Sequence, residues 1–212
     1  MDKLDKIFHG ACAAGLLTLL LSMNAPAQQD AVEEANALRE QVTQLYRQGH
    51  YSDAIPLTQR LLAITEKAHG PEHPDTATWL NNLAELYRAI GAYSKAEPLY
   101  QRALAIYEKA LGPEHPDTAA SLDNLAALYT DTGAYVNAEP LFQRALAIRE
   151  KALGPEHPDT ATSLNNLARL YESTGAYAKA ESLYQRALAI AEKALGHEQP
   201  NTATSLDNLA GF

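Results

Sequence analysis

The sequence predicts an all-α fold in which antiparallel helix pairs stack into a solenoid. The first reason is an internal repeat: near-identical copies begin at Gly70, Gly112 and Gly154, a spacing of 42 residues, and a fourth opens at Gly196. The second reason is a helical apolar stripe in each half of a copy, and the third is a helix-ending glycine between the halves. Because one such unit cannot bury its apolar face alone, neighbouring copies must stack.

The first helix of the copy at Gly70 is predicted over about residues 74–90. Pro74 suits the first helical position, and Asp75 complements the positive end of the helix dipole. Gly91 is expected to end the helix in a left-handed conformation. Four apolar residues at i, i+3, i+4 and i+7 form the buried stripe: Leu80, Leu83, Ala84 and Tyr87.

The second helix follows after a short link, which enforces a hairpin. Ser94 and Glu97 have capping-box spacing, and Pro98 is expected at the end of the first turn, where a missing N–H costs little. Gly112 ends this helix, and Pro113 prevents its continuation. The predicted buried stripe comprises Ala96, Leu99, Tyr100, Ala103, Leu104, Tyr107 and Leu111.

The first 27 residues are expected to be a signal peptide. Lys3 and Lys6 precede an apolar run over residues 11–23, and Ala25-Pro26-Ala27 has the pattern of a signal peptidase site. A spanning helix needs about 20 apolar residues, so an uncleaved membrane anchor is the weaker alternative. We therefore expect export from a bacterium, cleavage near Ala27, and a periplasmic or secreted mature protein.

The rest of the chain divides by the repeat. We expect a divergent N-terminal repeat that forms a cap, three full repeats, and a partial repeat that supplies only a first helix. In the partial repeat Leu206 and Leu209 would expose part of their stripe. We interpret this segment either as a minimal cap or as a chain that ends before its natural C-terminus. The ranges are 28–69, 70–111, 112–153, 154–195 and 196–212.

The composition excludes several classes of partner. The formal net charge is −9 and is spread over every repeat, whereas nucleic-acid binding needs a basic face. The only cysteine, Cys12, lies in the leader, so the mature chain relies on its helical core without disulfides. We expect no nucleic-acid partner and no stable membrane insertion after cleavage.

The stripe residues resemble the tetratricopeptide pattern of two helices per repeat. The 42-residue period and the motifs LNNLA and ALAIxEKALGPEHPDTA are similar to the kinesin light chain type. The resemblance implies a right-handed superhelix whose first helices line a concave face, and it implies a protein or peptide partner. The matching residues of the Gly70 copy are Leu80, Leu83, Ala84, Tyr87, Ala96, Tyr100 and Ala103.

The recurring Glu-His-Pro-Asp turn has residue types that bind metals, but we interpret it as structural. Turns of neighbouring repeats are expected ~10 Å apart, whereas zinc ligands lie about 2.0–2.3 Å from one ion. Within a turn, Pro74 holds His73 and Asp75 in a helix-start geometry. His197-Glu198 lacks the second histidine of a zinc-protease motif, and no Walker loop or GxSxG elbow occurs. We expect no metal, no cofactor and no catalytic residues.

The candidate functional residues lie on the first helices. Asparagine recurs at one position although it forms helices poorly, so the recurrence needs a reason. The resemblance implies that these side chains hydrogen-bond a bound peptide backbone; bonding between repeats and recent duplication are the alternatives. The recurring residues are Asn82, Asn124, Asn166 and Asn208.

Other positions expected in the groove vary between copies. Their charges are mixed, so the preference of kinesin light chains for acidic peptides is not expected here. Trp79, where other copies have serine, is interpreted as packing against the first repeat, with a partner anchor as the alternative. The variable residues are Asn81, Glu85 and Arg88, then Asp123, Ala127 and Thr130, then Asn165, Arg169 and Glu172.

Three functional hypotheses follow. The leading one is a non-enzymatic exported scaffold that binds an extended partner along the concave face. The alternative is a repeat-bearing regulatory or substrate-recruiting fragment of a larger enzyme, for example one with a protease-like domain downstream. The third is self-association through the exposed stripe of the partial repeat.

Overall fold

The computed structural model describes residues 25–195, and these residues form eight helices and no strand. The all-α fold class is therefore confirmed. The first 24 residues, which hold most of the expected signal peptide, and residues 196–212, which hold Asn208 and the partial repeat, lie outside the described residues. The helices are α1 (Ala25–Arg47), α2 (Tyr51–His69), α3 (Pro74–Ala89), α4 (Tyr93–Ala110), α5 (Pro116–Asp131), α6 (Tyr135–Ala152), α7 (Pro158–Ser173) and α8 (Tyr177–Leu195).

The helices belong to two compact units. Unit 1, residues 1–110, contains α1 to α4, and unit 2, residues 111–212, contains α5 to α8. Within each unit every helix packs against the next one along the chain. Each described repeat is thus a helix pair, as the sequence predicts. Within residues 25–195, no helix is both long and apolar enough to cross a membrane.

The turn that opens each repeat is closed by side chains. In unit 1, Gly70 has a φ of +97°, and its carbonyl accepts a hydrogen bond from the buried hydroxyl of Thr76 at 2.7 Å. His73 Nδ1 accepts from the Asp75 N–H at 3.1 Å, which satisfies one of the free amides of the first turn of α3, with Pro74 beside it. The same contacts recur in unit 2 at His115 with Asp117, His157 with Asp159, Thr118 with Gly112, and Thr160 with Gly154.

The capping box predicted for the second helix is wrong. The helix begins at Tyr93, and the Ala92 carbonyl accepts from the Ala96 N–H at 3.2 Å, so Ala92 precedes the first turn. Ser94 therefore lies inside the helix. The link before it matches its prediction, because Gly91 has a φ of +74° and ends α3.

The position predicted for Pro98 is also wrong. Since the helix begins before Ser94, Pro98 lies in the second turn, where its missing N–H leaves the Ser94 carbonyl without its usual helical donor. The equivalent residue of α8 is Ser182, so the repeat tolerates an ordinary residue there.

Alanines allow the helices of each pair to approach closely. Ala84 on α3 and Ala96 and Ala103 on α4 are fully buried, as predicted. The same three positions are fully buried in both repeats of unit 2: Ala126, Ala138, Ala145, Ala168, Ala180 and Ala187. Each large apolar side chain packed beside them contributes roughly 1.5–3 kcal/mol.

The buried stripe of α4 differs in part from the prediction. Ile106, which the predicted stripe omits, is buried, whereas Leu99, Leu104 and Leu111 are only half-buried. The buried face of α4 comprises Ala96, Tyr100, Ala103, Ile106 and Tyr107.

Trp79 is a core residue. Its side chain is 2 % exposed and packs with residues of α1 and α2, among them Val42 and Leu61. The Arg39 guanidinium lies over its ring, 5.7 Å from the ring centre. Packing against the first repeat is confirmed, and the alternative of a partner anchor is wrong.

Candidate peptide-binding surface

We use the term helix-A surface for the residues at four recurring positions on the first helix of each repeat. The surface of each unit is considered by itself. In unit 1 it comprises Asn81, Asn82, Glu85 and Arg88 on α3; in unit 2 it comprises Asp123, Asn124, Ala127 and Thr130 on α5, and Asn165, Asn166, Arg169 and Glu172 on α7.

The recurring asparagines differ in burial. Asn82 is 4 % exposed, and within the described part of the chain its buried Nδ2 has no hydrogen-bond partner. Asn124 and Asn166 are half-buried. A buried amide donor left unpaired costs about 1–3 kcal/mol. Bonding between repeats therefore does not account for the Asn82 donor, and because the atom has no exposed surface a ligand cannot reach it in this conformation.

Arg88 is engaged within its own helix. Its Nε donates to Glu85 Oε2 at 3.0 Å, and its Nη2 donates to Glu85 Oε1 at 2.8 Å, which makes a two-point ion pair. The buried Tyr100 hydroxyl of α4 donates to Glu85 Oε2 at 2.8 Å. Burial, followed by the nearby Glu85 charge, raises the pKa of Tyr100 well above its usual value. The sequence predicts Arg88 on this surface, and the structure shows that its charge is neutralised by Glu85.

A similar network occurs in unit 2, where the glutamate and the arginine have exchanged positions along the helix. The Tyr184 hydroxyl donates to Glu172 Oε2 at 3.0 Å, and burial together with this carboxylate raises the pKa of Tyr184. Arg169, at the position of Glu85, is exposed. The remaining repeat has Phe142 in place of the tyrosine. In that repeat the surface positions Ala127 and Thr130 have no carboxylate. Among these three repeats, the tyrosine is therefore present only where a glutamate can accept its hydrogen bond.

Asp123 is occupied by a buried ion pair. The Arg149 guanidinium of α6 donates to Asp123 Oδ2 and to the Ser163 hydroxyl, and Ser163 Oγ donates to Asp123 Oδ2 at 3.1 Å. Arg149 and Asp123 are both buried. Sequence reasoning missed this pair, although a signal existed: equivalents of Arg149 are Tyr107 and Ala191, and their repeats have asparagine at the position of Asp123.

The two asparagines at the position of Asp123 also lie close to the packed face. Asn81 of unit 1 is buried, and Asn165 of unit 2 is half-buried. Both already make interactions with neighbouring groups. Within each unit this position is the inner edge of the helix-A surface, and in unit 2 Arg169 and Glu172 form an exposed edge.

The first turn brings together a third group that the sequence prediction did not include. His69, the last residue of α2, has Nδ1 3.5 Å from Asp75 Oδ2, while His73 Nδ1 is 3.6 Å from the same oxygen. The imidazole rings of His69 and His73 are 4.7 Å apart. Burial lowers the pKa of His69, and the Asp75 carboxylate opposes that shift. The signal was a departure from the repeat, since Leu111 and Leu153 stand at the equivalent positions.

Comparison with known proteins decides the family. The sequence profile named Tetratricopeptide repeat matches residues 33–109, 95–151, 117–193 and 174–211. The chain belongs to the tetratricopeptide repeat family. Among curated proteins, none matches the sequence.

Solved structures agree with this assignment. A Podosopora anserina protein of kinesin light chain type with nearly identical TPR-like repeats is 31% identical, with a TM-score of 0.67, over 89% of this chain and 87% of that one. BtubC (BKLC) from P. vanneervenii is 24% identical with a TM-score of 0.70, over 89% of this chain and 83% of that one, and supports the fold alone. The resemblance to kinesin light chain repeats is confirmed, and the fold is typically a non-catalytic scaffold for protein interactions.

We predict that alkaline pH destabilises the protein through its buried tyrosines. The unfolded pKa of tyrosine is about 10, whereas burial raises the pKa of Tyr46 to about 12, and the pKa values of Tyr100 and Tyr184 are also raised. The folded state therefore holds these protons more tightly, so the stabilisation is complete below about pH 10 and is lost as pH rises toward and beyond about 12. Thermal melts from about pH 8 to 12 measure it.

The matched control is the double variant Tyr100→Phe and Tyr184→Phe, because Phe142 already occupies the equivalent position. We expect a lower melting temperature at neutral pH, since two hydroxyl hydrogen bonds are lost, but a shallower decline above pH 10. An equally steep decline in the variant would contradict the assignment to these hydroxyls.

The second prediction concerns the buried ion pair. Arg149→Ala leaves Asp123 charged and buried, and we expect the free energy of unfolding to fall by about 3–5 kcal/mol. Adding Asp123→Asn should restore most of that loss, because the next repeat has Asn165 and Ala191 at these positions. Urea denaturation followed by circular dichroism measures both variants. A single variant within about 1 kcal/mol of the wild type, as for an exposed pair, would refute the interpretation.

Proposed function

We propose that this protein is a non-enzymatic scaffold that binds an extended peptide segment of a partner protein on its helix-A surface. The observation that supports this most is the carboxamide that Asn124 and Asn166 repeat on the first helices of unit 2, where both side chains are half-buried and so partly open to a ligand. Membership of the tetratricopeptide repeat family supports a protein partner. We further propose that the protein acts outside the cytoplasm, on the evidence of its N-terminal leader.

The chemistry of the asparagines suits a peptide backbone. A carboxamide offers donors and an acceptor, and each residue of an extended peptide offers one N–H and one C=O. Asn124 and Asn166 repeat the same group on α5 and α7 of unit 2, and their partial exposure leaves them open to a ligand. Backbone recognition of this kind does not depend on the peptide's side chains.

The charges of the surface argue for a partner that is not strongly acidic. Arg88 is neutralised by Glu85, and Asp123 is neutralised by Arg149. The remaining charges of the surface, on the exposed edge of α7, are of opposite sign. We therefore propose that selectivity depends on local pairing with Arg169 and Glu172 rather than on a basic groove.

The test is the affinity of a peptide ligand selected by peptide display against the purified protein. Asn124→Ala and Asn166→Ala are each expected to weaken binding about tenfold, the effect of one lost hydrogen bond of roughly 1.4 kcal/mol. Asn82→Ala, in unit 1, should leave the affinity unchanged and the free energy of unfolding unchanged or raised, because it removes an unpaired buried group and favours the helix. Isothermal titration calorimetry measures the affinities.

Asn137→Ala is the matched control, because it makes the same chemical change at an exposed position of the second helix α6. It should bind the peptide like the wild type. Affinities that are unchanged in Asn124→Ala and Asn166→Ala, or reduced equally in Asn137→Ala, would show that the ligand does not bind where we propose.

A further inference from the structure

We propose that His69, His73 and Asp75 form a binding site for a divalent transition metal ion, with zinc as the first candidate. The site lies in unit 1, where α2 ends and α3 begins. It is distinct from the helix-A surface. The proposal revises, for the first turn alone, the sequence-based expectation that the Glu-His-Pro-Asp turns bind no metal.

The geometry fits one ion. One nitrogen from each histidine and one carboxylate oxygen can be chosen so that all three atoms lie within 4.8 Å of one another. Zinc bonds of about 2.0–2.1 Å at tetrahedral angles place two ligand atoms about 3.3–3.4 Å apart. The Asp75 oxygen lies 3.5 Å from His69 Nδ1, close to the separation that a bound ion needs. His73 Nδ1 is 3.6 Å from the same oxygen, but its lone pair accepts from the Asp75 N–H, so His73 would bind the ion through Nε2 or would give up that cap.

Helix capping explains two of the three residues but not His69. His115 and His157 cap their helices through the same Nδ1 contact as His73, and leucine precedes both of those turns. The repeat therefore builds a capped turn without a histidine at the position of His69. Since apolar leucine suits that buried position, the exchange for histidine calls for a separate explanation.

His69 has an unused ligand atom. Its side chain is only 4 % exposed, and its buried Nδ1, which faces Asp75, has no hydrogen-bond partner among the described residues. An unpaired buried polar atom costs about as much as a lost hydrogen bond, and a metal ion would satisfy it. This observation is independent of the capping contacts, and it is the one that points to a ligand.

The donor set determines the class of ion. Imidazole nitrogens suit zinc, copper, nickel and iron, and a single carboxylate completes a three-ligand set, whereas calcium and magnesium prefer oxygen ligands. His73 is 36 % exposed, which leaves room for a water molecule as a fourth ligand and for the ion to enter. The neighbouring Glu72 is held by Lys109, so we do not assign it as a ligand.

A bound ion would join the end of α2 to the start of α3. Because the ligands come from both sides of the turn, the ion binds the folded state and stabilises it in proportion to its concentration. The expected consequence is a metal-dependent stability of unit 1, not catalysis.

The experiment uses the full chain without a histidine tag, after treatment with a chelator. Cobalt(II) is titrated as the spectroscopic probe, and we expect the visible absorption of a low-symmetry cobalt site, saturating at one ion for this site and displaced by zinc. His69→Leu, the residue that the other repeats use, should lose this absorption while remaining folded. His115→Gln, which removes an equivalent cap in unit 2, should keep it.

A second readout is the melting temperature. Added zinc should raise it by several degrees in the wild type and His115→Gln, and the rise should be absent in His69→Leu. The absence of a cobalt spectrum in the wild type, or a spectrum and a zinc-dependent rise that persist unchanged in His69→Leu, would overturn the proposal.

Discussion

Close approach of the two helices in each pair is the constraint on which the rest of the structure depends. In the repeats of residues 70–195 it relies on a small residue at three positions, all alanines without solvent exposure, whereas the divergent first repeat has Val42 and Leu61 at two of the equivalent positions. Larger residues such as Leu80 and Tyr100 then pack into the space that the alanines leave. Because the same three positions are filled in the same way in the repeats of residues 70–195, these helix pairs are alike and the surfaces they present can vary.

The turn before each first helix is the second recurring element. Because the residues of the turn fix the start of the helix, the surface positions are not needed for that purpose. Glycine provides the backbone conformation, histidine caps the helix, and threonine closes the turn through a buried hydroxyl. Residues that depart from the repeat pattern then occur in contacting pairs. Arg149 occurs with Asp123, and the tyrosines at positions 100 and 184 occur with glutamates across the hairpin. His69 is a departure whose Nδ1 has no hydrogen-bond partner in the described structure.

The fold was predictable because its signals are local and repeated. Spacing within one helix predicts its buried face, and the glycines mark its ends. An error occurred at a helix start: Ser94 has the right spacing for a cap, but the helix begins at Tyr93 and Ser94 lies inside it. The site was less predictable because its contacts join residues far apart in sequence. The residues next to Asp123 in the sequence do not predict its contact with Arg149. His69 can be recognised as a candidate ligand only because the fold places it beside Asp75.

The most direct test of the account compares two substitutions on the same helix. Ala180 on α8 is fully buried in a hairpin contact, whereas Ala178 on the same helix is exposed. Ala180→Leu should lower the free energy of unfolding by about 1–3 kcal/mol or more, because the added atoms force the helices apart, and Ala178→Leu should leave it within about 0.5 kcal/mol. Equal effects of the two substitutions in urea denaturation would contradict the close approach of the helices.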